Sequence, residues 1–318
     1  MSKRKNILII KLGALGDFIF QSGVVFALHK KYPDAHFTFM TTKPFVPFVK
    51  CMPFVENIIV DTRPRWSIKG WWNTCKSGIA DKKWDFIFDL QASARTRKKY
   101  FSLARFLTPY SMRWAYLSKG GFHVMKVEKK HRFSLGKMTQ SDMPFKPFAV
   151  NMSFCKGEQK NFSLLPKKPF MLVIPGCSST HPYKRWPAEK YLELVLKAEK
   201  KGIPSVVLGT NAESKEIQAI CQNSKAISFQ NKASLLDIPA LAARACVVVG
   251  NDTGPVHMSC FVKTPAVVLF CKKTEKSAYK AANITNLIAP DIADISVDKV
   301  WQAVQKSIAG KQNAKRIK

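Results

Sequence analysis

Val247-Val248-Val249-Gly250-Asn251-Asp252-Thr253-Gly254-Pro255-Val256-His257 reads as a buried strand, a polar turn and the first turn of a helix. Three successive valines suit a strand covered on both faces, as the central strands of a parallel sheet are. Proline is tolerated in the first helical turn because the N–H it lacks would have no partner there, so a helix is expected from about Pro255. Thr253, Gly254 and the next free amides then point out of the helix start, where backbone donors and the positive end of the dipole attract an anion. A pyrophosphate suits such an end, with Thr253 Oγ and His257 adding side-chain hydrogen bonds. The plainer reading is a capped helix with a core histidine.

The same alternation extends outward from this segment. Strand-like runs at Met171 to Ile174, Ser205 to Leu208, Cys246 to Val249 and Ala266 to Phe270 are separated by helical stretches starting near Pro187, Ala212, Leu235 and Pro255. An earlier series holds Ile7 to Ile10, a helix from about Asp17 to Lys31, His36 to Met40, Asn57 to Val60 and Phe86 to Leu90. Strands alternating with helices imply parallel sheets with helices on their faces. The expected architecture is α/β, with two Rossmann-like doubly wound domains facing a cleft: residues 1–155 and 156–318, joined by a linker within 151–169. In such sheets ligands sit beyond the carboxyl ends of the strands, which draws attention to the loops after Ile10, Leu90, Ile174, Leu208, Val249 and Phe270.

The composition supports folded domains. Of 318 residues, 46% are hydrophobic and 23% charged, which excludes a disordered or fibrous chain. Lys and Arg number 52 against 21 Asp and Glu, a net charge of +31 that calls for an anionic partner: nucleic acid, an anionic membrane surface or a phosphorylated substrate. The eight cysteines show no C-x-x-C spacing, so they read as free thiols in a reducing compartment and no metal site is expected. The apolar run Ile7 to Ile10 stops at Lys11, too short for a signal-peptide core. No run reaches the roughly 18 apolar residues of a spanning helix. The expectation is a cytoplasmic protein whose membrane contact is peripheral.

Two further segments carry chemistry. Lys11-Leu12-Gly13-Ala14-Leu15-Gly16-Asp17 follows the first strand, and its glycines, Gly13 and Gly16, allow a tight turn and close ligand approach. A dinucleotide fingerprint needs a third glycine and an acid after the next strand, and Met40-Thr41-Thr42 offers none. Asp17 is either an N-cap or a general base that takes the proton of an acceptor hydroxyl, and spacing alone leaves both open. In the second segment, Pro175-Gly176-Cys177-Ser178-Ser179-Thr180-His181-Pro182-Tyr183-Lys184-Arg185-Trp186-Pro187, hydroxyls stand beside two cations. Ser178, Ser179 and Thr180 can donate to phosphate oxygens while Lys184 neutralises charge on a departing diphosphate. Alternatively Lys184 and Arg185 are solvated and Trp186 is a core anchor.

The first half also interleaves aromatics with cations: Arg63, Arg65, Trp66, Lys69, Trp71, Trp72 and Lys76, then Arg95, Arg97, Lys98 and Lys99, then Lys126, Lys129, Lys130 and Arg132. Rings seated among headgroups and cations held by anionic lipid would dock this domain on a membrane. Arg95 and Arg97, just past the strand ending at Leu90, are placed to grip acceptor carboxylates or phosphates. A solvated charged surface over core tryptophans is the alternative.

Taken together, G-x-x-G-D after the first strand, P-G-x-S, K-R-W-P and G-N-D-T-G-P-x-H resemble glycosyltransferase family 9, the lipopolysaccharide heptosyltransferases. Phe88-Asp89-Leu90-Gln91-Ala92-Ser93 and Asn231-Lys232-Ala233-Ser234-Leu235 match in place, so the resemblance spans nearly the whole chain. It implies a GT-B fold and an inverting, metal-independent transfer from a nucleotide-heptose, usually the ADP form, to the lipopolysaccharide inner core at the inner membrane. It also implies Asp17 as base, donor contacts at Ser179, Thr180, Lys184, Asp252, Thr253, Gly254 and His257, and a ribose-binding acid at Glu213. The acceptor is expected separately at Gly13, Gly16, Arg63, Arg95 and Arg97. The family commonly has a Gly-Pro-Thr loop after the last strand, where this chain has Cys271-Lys272-Lys273-Thr274-Glu275-Lys276. A basic nucleic-acid-binding protein, a sugar-nucleotide epimerase on the same fold and a non-catalytic assembly subunit are the competing readings. Neither a nucleic-acid recognition motif nor a single cationic element supports the first of these.

Overall fold

A computed structural model of the chain describes residues 4–62, 68–80, 82–118, 121–127, 133–137 and 152–316. Two compact units, Met1–Val150 and Asn151–Lys318, make up the molecule.

The first unit contains β1 (Asn6–Ile10), α1 (Leu15–Lys31), β2 (His36–Thr41), α2 (Val46–Lys50), β3 (Val55–Val60), α3 (Ile68–Cys75), β4 (Phe86–Asp89), α4 (Phe101–Leu107), β5 (Met112–Ser118), β6 (Gly121–Val127) and β7 (Phe133–Lys137). Its described strands form one sheet in the order β3-β2-β1-β4-β5-β6-β7. β1 to β5 pair in parallel as expected, and an antiparallel extension that the sequence reading did not name follows, in which β6 pairs with both β5 and β7. The sequence reason is a period of two: Met112 and Trp114 are buried while Arg113 between them is exposed. Strand order reverses at β1, which has β2 on one side and β4 on the other. In open sheets the carboxyl ends of the strands at such a reversal are where ligands bind. Leu8 and Ile10 of β1 pack toward Tyr100, Phe101 and Trp114.

The second unit contains β8 (Met171–Ile174), α5 (Ala188–Lys200), β9 (Ser205–Gly209), α6 (Ser214–Cys221), β10 (Ile227–Gln230), α7 (Ile238–Arg244), β11 (Val247–Asn251), α8 (Gly254–Cys260), β12 (Ala266–Cys271), β13 (Ile284–Ala289) and α9 (Val297–Arg316). The order is β10-β9-β8-β11-β12-β13, with every pair parallel. Here the reversal falls between β8 and β11, the strands that feed the two phosphate-binding segments read from the sequence. Val247 and Val249 join Met171, Val173, Trp186, Tyr191 and Val300 in a continuous core. A side chain on Gly250 would put its Cβ 2.7 Å from the carbonyl oxygen of Ile174 and 2.6 Å from Val256. Only glycine lets β8, β11 and α8 approach this closely. Among the described residues no helix is long and apolar enough to cross a membrane.

Candidate active site

In the second unit, β11 extends two residues beyond its valines, so Asn251 ends the strand and Asp252 opens the turn. The Asn251 side chain is fully buried and joins three segments. Its Nδ2 donates to the carbonyls of Pro175 and Gly176 at 2.7 and 3.3 Å, while its Oδ1 accepts from Trp186 N at 3.2 Å and the Tyr191 hydroxyl at 2.9 Å. The loops after β8 and β11 are thereby fixed to each other through one amide. Trp186 is the core anchor that the plainer reading expected, fully buried with Nε1 donating to the Ile295 carbonyl at 2.9 Å.

Asp252 is the centre of the charge arrangement. Its Oδ2 lies 2.7 Å from Lys184 Nζ and its Oδ1 lies 2.9 Å from His257 Nε2. Burial alone would raise the Asp252 pKa, but hydrogen bonds and charge from His257 and Lys184 outweigh it and hold the carboxyl below its ordinary value. Lys184, Asp252 and His257 thus form one cluster at the carboxyl ends of the switch-point strands. His257 is buried, as a core histidine would be, and it also faces this carboxylate.

Thr253 caps α8 in extended conformation without forming a side-chain cap bond, and Gly254 and Pro255 begin the helix. Its Oγ1 is buried and has no hydrogen-bond partner. A buried hydroxyl without a partner is costly, so it suits a site that an oxygen-rich ligand completes. In the loop after β8, Ser178 and Thr180 share a 2.8 Å hydrogen bond, Thr180 reaches His181 Nδ1 at 2.8 Å, and Ser179 is exposed. Arg185 pairs with Glu216 on α6 and donates to the Cys177 carbonyl at 3.4 Å. Glu213 Oε2 accepts from Thr210 N at 2.8 Å and Thr210 Oγ1 at 2.7 Å, closing a capping box. It packs so tightly on the loop after β8 that a Cβ at Gly176 would lie 2.6 Å from Glu213 Cγ.

In the first unit, Gly13 is buried and has φ of 135°, a conformation that side chains resist. Gly16 lies in the first turn of α1. The helix cap is Ala14, not Asp17, and it forms no side-chain cap bond. Asp17 stands in the first turn of α1, its side chain 67% exposed and 4.0 Å from the ammonium of buried Lys11. Burial lowers the Lys11 pKa, opposed by the charges of Asp17 and Asp89. The turn is braced by Gln91, whose Oε1 accepts from Leu12 N at 3.0 Å. Beneath it, buried Asp89 accepts from Ala92 N at 2.8 Å and Trp114 Nε1 at 3.4 Å, and burial pushes its carboxyl upward despite these bonds.

The basic residues divide by environment. Arg95 sits on buried Asp61 through contacts of 3.0 and 3.2 Å, so its charge is engaged inside the unit. Arg97, Lys98 and Lys99 are exposed, and the Arg97 guanidinium lies over the Tyr116 ring at 5.4 Å. Arg63, Arg65, Trp66, Lys129, Lys130 and Arg132 lie outside the described residues. Sequence reasoning passed over Asn251, Gln91, Lys11 and Asp61. The available signal was the same in each case: a polar residue in or beside a strand end, where the ladder stops and side chains must satisfy backbone. Among the described residues no group of three or more His, Cys, Asp or Glu could hold a metal ion.

The model of glycosyltransferase family 9 (heptosyltransferase) matches residues 122–292, more than half of the chain. The chain belongs to that family. The lipopolysaccharide core heptosyltransferase of Haemophilus influenzae is 21% identical over 90% of this chain and 84% of its own length. Lipopolysaccharide heptosyltransferase 2 of Escherichia coli is 24% identical over 83% of this chain and 82% of its own. The solved E. coli ADP-heptose lipopolysaccharide heptosyltransferase II superposes with a TM-score of 0.73 at 18% identity, covering 96% of this chain and 99% of that one. Family 9 membership agrees with the motifs, and the two Rossmann-like units are those of its GT-B fold. It places the chain among glycosyltransferases, in preference to nucleic-acid-binding proteins or epimerases.

Proposed function

We propose that this family 9 enzyme transfers heptose from ADP-heptose to the lipopolysaccharide inner core with inversion, using Asp17 as general base. The observation that carries the reading is the Lys184–Asp252–His257 cluster beside the unpartnered buried hydroxyl of Thr253. In this reading the donor diphosphate lies against Ser179, Thr180, Lys184, Thr253 and Gly254. Glu213 receives the ribose, with Oε2 already engaged by Thr210. Asp252 fixes Lys184 and leaves its other N–H donors for phosphate oxygens. Asp17, exposed and uncapped, takes the proton of the acceptor hydroxyl. That oxygen forms the new bond to the anomeric carbon, and the bond to the diphosphate breaks with its electron pair leaving on ADP. The names of the relatives support a nucleotide-heptose transfer.

The acceptor side of the reading is anionic and membrane-bound. Arg97 and Lys98 are exposed on the segment before α4, and the exposed rings of Phe106 and Tyr110 stand on α4 and its following loop. Near that loop Lys5, Lys83, Arg113 and Lys126 line an open pocket of about 420 Å³, a surface suited to anionic headgroups at the cytoplasmic face of the inner membrane.

A thermal-shift screen of ADP-, UDP-, GDP- and CMP-sugars, followed by transfer to deacylated lipopolysaccharide core, tests the proposal. ADP-heptose is expected to raise Tm and to be consumed. A ligand held only by the folded state must stabilise it, so no shift from any nucleotide at high concentration overturns the reading.

A further inference from the structure

Charge pairing around the donor cluster leaves a requirement that the residues above do not meet. A nucleoside diphosphate brings about two negative charges, and a departing diphosphate needs positive charge near it. Lys184 is 2.7 Å from Asp252, whose lowered pKa keeps it ionised, so that pair supplies donors but little net charge. Arg185 is matched by Glu216, and Lys272 by Glu275. Lys273 and Lys276 remain in the loop after β12, both exposed. That loop borders the site through the register, since Asn251 pairs with Leu269 and Asp252 N donates to the Leu269 carbonyl at 3.1 Å. Lys276 has no anchor of this kind, whereas Lys273 Nζ lies 5.4 Å from the centroid of the Tyr183 ring, next in sequence to Lys184. A cation seated on an aromatic face is oriented without being neutralised.

We infer that Lys273 is a donor-binding residue whose ammonium, seated on Tyr183, supplies the countercharge for the diphosphate of the nucleotide that Lys184 cannot supply while paired with Asp252. The inference rests on the donor-site reading above. It also gives the Lys272-Lys273-Thr274-Glu275-Lys276 stretch a role: it carries positive charge of the site on the loop after β12.

Calorimetric titration of the full chain with ADP, and with adenosine as a ligand lacking the diphosphate, at low and moderate salt tests it. Lys273→Ala should weaken ADP binding about tenfold, as expected for a hydrogen bond to a charged group, and flatten its salt dependence. Adenosine affinity and Tm should not move. Lys273→Arg should restore most of the affinity, and Tyr183→Leu, which keeps the charge but removes its seat, should give an intermediate loss. Lys276→Ala is the control for charge in the same loop, and an equal loss there would show a diffuse field and overturn the assignment. Unchanged ADP affinity in Lys273→Ala overturns it too. If wild-type protein binds none of ADP, UDP, GDP or CDP, the donor-site reading itself falls and takes this inference with it.

Discussion

Two carboxylates, Asp17 and Asp252, follow a strand at the sheet's reversal in their respective units, Asp17 in the first turn of α1 and Asp252 in the turn between β11 and α8. Their surroundings are opposite. Asp252 is buried and held by Lys184 at 2.7 Å and His257 at 2.9 Å. Asp17 is largely exposed, and Lys11 stands at the 4.0 Å margin of an ion pair. A carboxylate bound to two partners below its ordinary pKa is a poor proton acceptor but a firm scaffold. One that is solvated and sparsely held is open to an incoming group. The fold places a carboxylate after the reversal strand in both units and differentiates the two by burial.

The largest expected effect tests the exposed member. Asp17→Asn should lower transfer by about 10²- to 10⁴-fold, the usual contribution of a general base, while calorimetric Tm and ADP affinity stay level. Retained turnover, or a large fall in Tm, would erase the contrast between the two turns. Asp252→Asn should instead act on the fold, costing about 3 kcal/mol in urea unfolding because a half-buried Lys184 loses its partner, and weakening donor binding as well. Asn251→Ala should cost about 2 kcal/mol by stranding the Tyr191 hydroxyl and Trp186 N, with Asp17 chemistry intact once donor is saturating. The smallest effect is in pH. Because Asp252 is held below its ordinary value, its contribution is present above the unfolded carboxylate pKa and is lost as pH falls through the folded one. The stability gap between wild type and Asp252→Asn should therefore be flat near neutrality and close in acid. A gap that widened on acidification would contradict the assigned environment.

Much of this contrast was legible in the chain. Fully buried strands such as Met171–Ile174 and Ala266–Cys271 announce themselves as unbroken apolar runs, and the glycine turns mark where β1 and β11 release the chain. The edge strands β10 and β13 escaped because half-exposed strands mix in polar residues such as Ser228 and Asn286. The β5–β7 extension escaped for a related reason, since its alternating pattern announces hairpins within a sequence otherwise read for crossover helices. In the site, residue types pointed to the Lys184 and Asp252 segments, but not to their pairing. That pairing depends on the two strands lying adjacent, which spacing in a single chain does not encode. Arg95 shows the converse. Its place after a strand end suggested ligand contact, but not its pairing with buried Asp61, 34 residues earlier.

The Asn251 amide has a consequence for motion. Because it is bonded at once to Pro175, Gly176, Trp186 and Tyr191, the loops after β8 and β11 cannot open one at a time without stranding buried polar groups. In amide hydrogen exchange the segments around Gly176, Trp186 and Asp252 should share a single opening free energy, well above that of exposed Ser178–Thr180. The half of the enzyme assigned to the donor would then behave as one rigid cradle with a loose lip.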